Sequence, residues 1–168
     1  MSRVVCVTGT ECTGKTTLSR ALAERLGAPL VTEVARDYLT GRSGYDRADV
    51  LAIARAQLAA EDAALADADV IVADTDLSVI QVWWQEKYGD LDPWLADALA
   101  RRSPRLYLLT RPDIAWEPDP LRESPHDRDR LHRRYQAVLA ESPHPFVEIA
   151  GLGEARLRQA LTALGLKP

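Results

Sequence analysis

The chain has 168 residues, of which 46% are hydrophobic and 27% charged, a size and composition typical of one compact globular domain. Its net charge of −4 at pH 7 disfavours nucleic acid as the main partner, because proteins that bind nucleic acids carry a basic face. The first apolar run, Val4–Val7, is too short for a signal-peptide core or a membrane span. We therefore expect a single cytoplasmic domain over residues 1–168 that binds neither nucleic acid nor membrane.

Short apolar runs alternate with helical patterns along the chain. In order, the predicted strands are Val4–Thr8, Pro29–Thr32, Val70–Ala73, Leu106–Leu109 and Phe146–Ile149, and the predicted helices are Thr16–Leu26, Arg47–Ala66, Leu77–Tyr88, Asp127–Leu139 and Glu154–Leu164. This alternation predicts an α/β fold with a five-stranded, mostly parallel sheet flanked by helices. A ligand site is then expected at the carboxyl ends of the strands.

The segment after the first strand, Gly9–Thr16, matches the phosphate-binding loop pattern of Gly, four variable residues and Gly-Lys-Ser/Thr. The glycines let backbone N–H groups converge on phosphate oxygens, and the following helix offers its positive end. We expect Lys15 to reach the outer phosphates of ATP and Thr16 to ligate Mg²⁺. The predicted nucleotide contacts are Gly9, Thr10, Glu11, Cys12, Thr13, Gly14, Lys15, Thr16 and Thr17. The loop between a strand and a helix predicts the P-loop NTPase fold.

Phosphate loops occur in GTPases, motor ATPases and small-molecule kinases. The chain contains no Asn, which removes the Asn-Lys-x-Asp signature that reads guanine. Its length leaves little room for the accessory helical domain of a motor ATPase. A small-molecule kinase is therefore the leading class.

Carboxylates are predicted at the same edge of the sheet as the phosphate loop. Asp74 follows the third strand, where a residue can hold Mg²⁺ or orient an acceptor. Asp76 is equally suited to cap the helix that begins near Leu77 and to contact the substrate. Glu33 ends the second strand, where a carboxylate can accept a proton from a hydroxyl. Arg36, one helical turn later, either pairs with Glu33 or faces the substrate.

Residues 111–130 contain four prolines and dense mixed charge, which exclude one regular helix and predict an exposed loop. We expect an arginine-bearing lid over approximately residues 112–130. In it, Arg122 and Arg128 either lie on the surface or close over the phosphates, where they would exclude water and stabilise transition-state charge. Trp116 either stacks on a heteroaromatic ring of the substrate or anchors the loop.

Taken together, these segments resemble the ribosylnicotinamide kinase domain of NadR-type proteins of NAD biosynthesis. The resemblance is carried by the phosphate loop, by Glu33–Tyr38, Asp74–Asp76 and Tyr88–Gly89, and by Trp116 with Asp119, Leu121 and Arg122. These motifs follow the family's order and spacing over nearly the whole chain. Two positions depart from the family: Cys12 replaces a small hydroxyl residue and should alter the loop's thiol reactivity, and Pro120 replaces a Gly and should stiffen the lid.

The resemblance implies phosphorylation of the ribose 5′-hydroxyl of nicotinamide riboside, giving nicotinamide mononucleotide, with ATP and Mg²⁺ as cofactors. It implies that Lys15 and Thr16 hold ATP and Mg²⁺, with Asp74 also at the metal, and that Glu33 or Asp74 handles the acceptor hydroxyl. The expected nucleoside contacts are Glu33, Arg36, Tyr38, Asp74, Asp76, Trp116 and Asp119. The alternatives are a kinase for another nucleoside or nucleotide and a nucleotide-dependent regulatory ATPase or switch. The sequence leaves open whether the chain forms a homo-oligomer.

Overall fold

The computed structural model describes residues 4–119, 122 and 126–167; the predicted lid positions Pro120 and Leu121 lie outside the described residues. The strands are β1 (Val4–Thr8), β2 (Leu30–Val31), β3 (Ile71–Asp74), β4 (Arg105–Thr110) and β5 (Phe146–Ile149). The helices are α1 (Lys15–Leu26), α2 (Val34–Leu39), α3 (Arg47–Asp67), α4 (Leu77–Tyr88), α5 (Pro93–Ala100), α6 (Arg128–Glu141) and α7 (Glu154–Ala163). Every strand and helix with predicted bounds is present, with ends shifted by at most two residues.

The five strands form one parallel sheet in the order β2-β3-β1-β4-β5. This arrangement confirms the predicted α/β class and P-loop NTPase fold. The central strand β1 lies between β3 and β4, whereas β2 and β5 form the two edges of the sheet. Val7 of β1 is opposite Asp74 of β3. The loop after β1 and the carboxylate that ends β3 therefore leave the sheet side by side, at the edge where such sheets bind ligands.

Helices cover both faces of the sheet, because the side chains of β1, β3 and β4 are buried on both sides. Val5 and Val7 pack with Leu22 of α1 and Leu161 of α7 on one face. On the other face, residues such as Cys6 pack against α3, α4 and α6. The sheet is thus the middle of three layers, and the loops at its carboxyl edge rest on a buried core.

A third apolar cluster joins α3, α4 and α5. It contains Ile53, Leu77, Trp84 and Leu95, all of which are at least 96% buried. Of the two adjacent tryptophans in α4, Trp84 lies in this core. No helix of the described part of the chain is both long and apolar enough to cross a membrane.

Candidate active site

A cavity of about 720 Å³ opens at the carboxyl edge of the sheet. The whole predicted nucleotide loop, Gly9–Thr17, lines one side of it, and residues of α2, α4 and α6 line the other. Glu33, Arg36 and Arg122 also line this cavity. The structure therefore brings most of the predicted site residues together around one space.

Two glycines shape the phosphate loop. Gly9 has φ +136°, and a Cβ added there would lie 2.7 Å from Thr110 Oγ1, so this position excludes any side chain. Gly14 is left-handed, with φ 73°, and precedes the first residue of α1. The beginning of α1 has no side-chain cap and no acidic residue in its first turn. Its N–H groups and its positive end are thus available to an anion.

Lys15 lies in this loop close to both predicted carboxylates. Its Nζ donates to the Thr10 carbonyl at 2.7 Å. Burial lowers the pKa of Lys15, while the charges of Glu33 and Asp74 act in the opposite direction. The ammonium and the two carboxylates therefore share one electrostatic environment.

Glu33 precedes α2 but does not cap it with its side chain. Burial raises the pKa of Glu33, the nearby Asp74 raises it further, and Lys15 opposes both effects. A carboxylate with a raised pKa is better matched to accepting a proton from a hydroxyl near neutral pH. The environment of Glu33 is therefore suited to a general base.

Asp74 is 3% exposed, and its Oδ1 has no hydrogen-bond partner among the described residues. Buried carboxylate oxygens are costly when unpaired, which makes this atom a ready ligand for a cation. Thr16 is exposed in the cavity nearby. The oxygen donors Asp74 and Thr16 fit Mg²⁺, which takes few protein ligands and completes its shell with phosphates and water. No cluster of three or more His, Cys, Asp or Glu side chains suited to a metal occurs in the described residues.

The prediction that Asp76 contacts the substrate is wrong. Its carboxylate is buried and caps α4, with Oδ1 accepting from the Ser78 N–H at 2.7 Å. Its Oδ2 accepts from Arg105 Nη1 at 2.9 Å and from Arg102 Nη2. The cap that was the alternative prediction is therefore present, and these bonds leave no room for a nucleoside at this carboxylate.

Asp76 belongs to a buried charge cluster that also contains Glu61, Arg102 and Arg105. Glu61 accepts from Arg102 Nη2 at 3.2 Å and from Arg105 Nη1 at 3.1 Å. Burial raises the pKa of Asp76, but the two guanidiniums outweigh it and hold this pKa well below its usual range. The charges of two positive and two negative side chains thus neutralise one another beneath the site. Sequence reasoning missed this cluster, although Arg102 and Arg105 are two cations just before and at the start of a buried strand.

The predicted substrate contact of Tyr38 is also not observed. Its hydroxyl donates to Asp49 Oδ1 at 2.9 Å, and the Arg42 guanidinium lies 4.3 Å from its ring centroid. Tyr38 does not line the cavity. It connects α2 to α3 and therefore acts in packing, not in substrate contact.

Arg36 connects α2 to the lid region. Its Nη1 lies 3.0 Å from Asp119 Oδ2, so the structure pairs it with Asp119 and not with Glu33. Arg36 lines the cavity, whereas Asp119 does not. Nucleoside contacts by these two residues remain predictions.

The predicted lid arginines occupy different positions. Arg122 lines the cavity, and its charge is close enough to lower the pKa of Lys15, although burial is the larger cause. Arg128 instead donates to the backbone carbonyls of Cys12 at 3.0 Å and Ile114 at 2.9 Å, outside the cavity lining. The prediction that Arg128 faces the phosphates is therefore corrected to a contact between lid and loop.

Trp116 and Cys12 complete the contact between the lid and the phosphate loop. The Trp116 ring centroid lies 5.6 Å from the Arg128 guanidinium and 5.9 Å from that of Arg122. Cys12 Sγ accepts from the Glu117 N–H at 3.2 Å and donates to the Ala115 carbonyl at 3.5 Å. This arrangement matches the loop-anchoring alternative for Trp116, because its ring interacts with lid arginines.

The side of the cavity opposite the phosphate loop contains residues that sequence reasoning did not assign. Tyr45 and Trp83 meet edge to face with ring centroids 4.8 Å apart, and Trp83 Nε1 donates to the Tyr45 hydroxyl at 2.9 Å. Glu86 accepts from Arg130 Nη2 at 2.6 Å. The available signal was the Trp83–Trp84 pair, because adjacent helix residues cannot both face the same core.

The sequence also matches a known family. The family model described as AAA domain, AAA_28, matches residues 4–156. The chain belongs to this AAA-domain family. A search of curated protein sequences gave no match.

Solved structures extend this comparison. The chain is similar to the NadR protein in complex with NR, with 25% identity and a TM-score of 0.80, over 97% of this chain and 50% of that one. It is also similar to NadR in complex with NAD and AMP-PNP, with 24% identity and a TM-score of 0.77, over 99% of this chain and 51% of that one. The AAA-domain chain thus spans about half the length of these NadR chains. The resemblance to NadR that the motifs indicate is confirmed.

A second group of similar structures consists of kinases. Thymidylate kinase from Ehrlichia chaffeensis shares 16% identity with a TM-score of 0.67, over 97% of this chain and 96% of that one. At this identity the likeness concerns the fold alone. The NadR and kinase structures thus share the fold that the sequence predicts.

Proposed function

We propose that the chain is an ATP-dependent kinase that phosphorylates the 5′-hydroxyl of nicotinamide riboside to give nicotinamide mononucleotide. The observation that carries the proposal is that the uncapped phosphate loop, Lys15 and Glu33 line one cavity, with the buried Asp74 carboxylate within electrostatic reach of Lys15. The likeness to a NadR structure in complex with NR supports the choice of acceptor. In this proposal residues 1–168 form one kinase domain, with residues 112–130 as its lid.

The phosphate loop holds the donor in this mechanism. Backbone N–H groups of the loop and of the α1 N-terminus bind the phosphate oxygens, and Lys15 neutralises charge on the outer phosphates. Thr16 and Asp74 are the residues that would hold Mg²⁺, which when bound screens the phosphate charge. Arg122 adds a second cation on the lid side. Stabilisation by positioned charge is the main source of catalysis in phosphoryl transfer.

Two carboxylates are available on the acceptor side. Glu33 accepts the proton of the 5′-hydroxyl in our assignment, since burial raises its pKa toward the working range. Asp74 is the alternative base if its carboxylate is not engaged by the metal. Lys15 lies within the electrostatic reach of both carboxylates, so either candidate base acts next to the cation that holds the donor phosphates.

Tyr45 and Trp83 supply aromatic surface for the pyridine ring. Both residues line the cavity, and their mutual hydrogen bond fixes the orientation of the two rings. A flat, positively charged ring gains energy from aromatic contacts. The neighbouring Glu86 adds negative charge on the same side.

ADP release with and without candidate acceptors tests this function. Purified protein is given ATP and Mg²⁺ with nicotinamide riboside, uridine or thymidine, and the product is identified by mass spectrometry. We expect acceptor-dependent ADP release and formation of nicotinamide mononucleotide. If the protein phosphorylates uridine or thymidine but not nicotinamide riboside, the acceptor assignment is contradicted. ATP turnover that no nucleoside or nucleotide accelerates would contradict the kinase and favour a nucleotide-dependent switch.

A further inference from the structure

Arg156, near the start of α7, contacts three separate loops at the carboxyl edge of the sheet. It is 3% exposed. Its Nε donates to the Gly151 carbonyl at 2.5 Å, and its Nη2 donates to the Arg111 carbonyl at 3.0 Å and to Asp113 Oδ1. Its Nη1 donates to the Thr13 carbonyl of the phosphate loop. Four of the five guanidinium N–H groups thus donate hydrogen bonds to protein acceptors.

The bond to Thr13 fixes the direction of the next peptide N–H. In a trans peptide the carbonyl of one residue and the N–H of the next point in opposite directions, and the described chain contains no cis peptide bond. Thr13 and Gly14 line the cavity, whereas Arg156 does not. Because the Thr13 carbonyl points to Arg156, the Gly14 N–H points away from it, toward the cavity.

Arg128 makes an equivalent contact with the residue before Thr13 in the phosphate loop. It donates to the Cys12 carbonyl at 3.0 Å, and it too lies outside the cavity lining. The Thr13 N–H therefore also points away from an arginine. Two consecutive carbonyls of the loop are held from outside by guanidiniums, which leaves two consecutive N–H groups directed inward, as in an anion-binding nest.

We propose that Arg156 is a positioning residue of the nucleotide site, which aligns the phosphate-loop N–H groups from outside the cavity. The inference rests on the proposed function only in taking a nucleotide phosphate as the ligand. It adds a role for α7, an element outside the loop motif. Arg156 also ties the loop to Arg111 and Asp113, so the same residue holds the first part of the lid segment next to the phosphates.

The fork of the guanidinium is essential to this role. A lysine at position 156 would keep the positive charge but cannot reach four acceptors in a plane. Arg156→Lys therefore separates positioning from charge. Arg158 on the same helix is the matched control, because its side chain is 59% exposed and its partner is Glu154 on the surface.

The test measures binding of a fluorescent ATP analogue to the full chain without any acceptor. We expect Arg156→Gln and Arg156→Lys to weaken binding by roughly tenfold or more, the effect of misaligning one hydrogen bond to a charged group. Arg158→Gln should bind as the unaltered protein does. In steady-state assays the KM for ATP should rise in both Arg156 variants while the KM for the acceptor stays unchanged. Unchanged analogue binding in Arg156→Gln, or full rescue by Arg156→Lys, would overturn the positioning role.

Asp113→Asn provides a milder variant should Arg156→Gln fail to fold. It weakens one anchor of Arg156 at a position that is 35% exposed. We expect a smaller loss of analogue binding with the melting temperature nearly unchanged, and no loss of binding would contradict the proposal. The binding assay contains no nicotinamide riboside. A failure of the proposed acceptor would therefore leave this result intact, and a failure of Arg156 would leave the acceptor assignment intact.

Discussion

The Asp76 carboxylate accepts a hydrogen bond from the Arg105 guanidinium at 2.9 Å, with both side chains at most 1% exposed. This bond ties the segment after β3 to the first residue of β4. Asp74, two residues before Asp76, is therefore attached to a rigid support. Thr75 between them is left-handed, with φ 66°, and donates its N–H to the Val7 carbonyl at 2.9 Å. The backbone that follows Asp74 is thus held in place by contacts at Thr75 and Asp76.

Asp76→Asn should destabilise the fold strongly. Asn can still cap α4, but Arg102 and Arg105 would lose a charged partner in a buried environment. Breaking such a pair costs about 3–5 kcal/mol. Asp92→Asn is the control, because Asp92 caps α5 through the Trp94 N–H at 2.9 Å and has no place in the charge cluster. Urea unfolding that gives equal free energies for the two variants would contradict the importance of the cluster.

The same residue gives a pH dependence of stability. The folded-state pKa of Asp76 lies below its usual value because the two guanidiniums outweigh burial. Its contribution is therefore fully present above the unfolded-state pKa of aspartate and is lost as the pH falls toward the folded-state pKa. The unaltered protein should lose stability on acidification more steeply than Asp76→Asn. Parallel acid-unfolding curves would show that Asp76 is not charged in the fold.

Lys15→Ala should reduce ATP-dependent turnover by on the order of 10²–10³-fold, since it removes a positioned cation from a site where phosphoryl charge develops. The chain has two other lysines, and Lys167 is exposed near the C-terminal end of the described residues. Lys167→Ala is therefore the matched control. Steady-state kinetics with saturating acceptor distinguish the two. Comparable turnover in both variants would remove Lys15 from the catalytic site.

The acid side of the pH–rate profile identifies the base. Glu33 acts in its ionised form, and its pKa is raised above the ordinary value of 4.5 by burial and by Asp74. Turnover should therefore fall as the pH decreases through a value above 4.5. Glu33→Gln should lower turnover by orders of magnitude and abolish the fall in turnover at low pH. If Glu33→Gln keeps near-normal turnover while Asp74→Asn loses it, Asp74 is the base.

Trp116→Ala should impair lid docking more than acceptor binding. The ring interacts with Arg122 and Arg128, and Arg128 is bonded to the phosphate loop. We expect the KM values for ATP and for the acceptor to rise by similar factors. Trp83→Ala is the comparison, since Trp83 lines the acceptor side of the cavity; it should raise mainly the acceptor's KM. A selective rise of the acceptor's KM in Trp116→Ala would restore the stacking role.

The sequence predicted the elements well because their signals are local. The apolar run Val4–Thr8 and the glycines around Lys15 specify a strand, a loop and a helix without reference to distant residues. Glu33 and Asp74 were also predictable, since strand ends in a parallel sheet meet at one edge. The order of strands and helices is enough to predict where these residues lie, because it determines which strand ends share one edge of the sheet.

Residues that depend on distant contacts were not predictable. Asp76 looks the same in sequence whether it faces a substrate or two arginines that lie 26 and 29 residues later. Arg156 is 143 residues from the carbonyl that it binds, and Arg128 is 116 residues from Cys12. No local pattern identifies which arginines of an arginine-rich chain become buried. Only the packed structure separates them from those on the surface.

The thiol of Cys12 makes lid movement directly measurable. The chain has two cysteines; Cys6 is fully buried, and burial raises its pKa well above the usual value, so it should react slowly. Cys12 is half-buried beneath Ala115 and Glu117 of the lid segment. A thiol reagent should therefore modify one residue of the unmodified protein, at a rate that reports how often the lid leaves the phosphate loop. The Cys12 thiol is therefore a native kinetic probe, and the rate of lid opening can be measured without an engineered label.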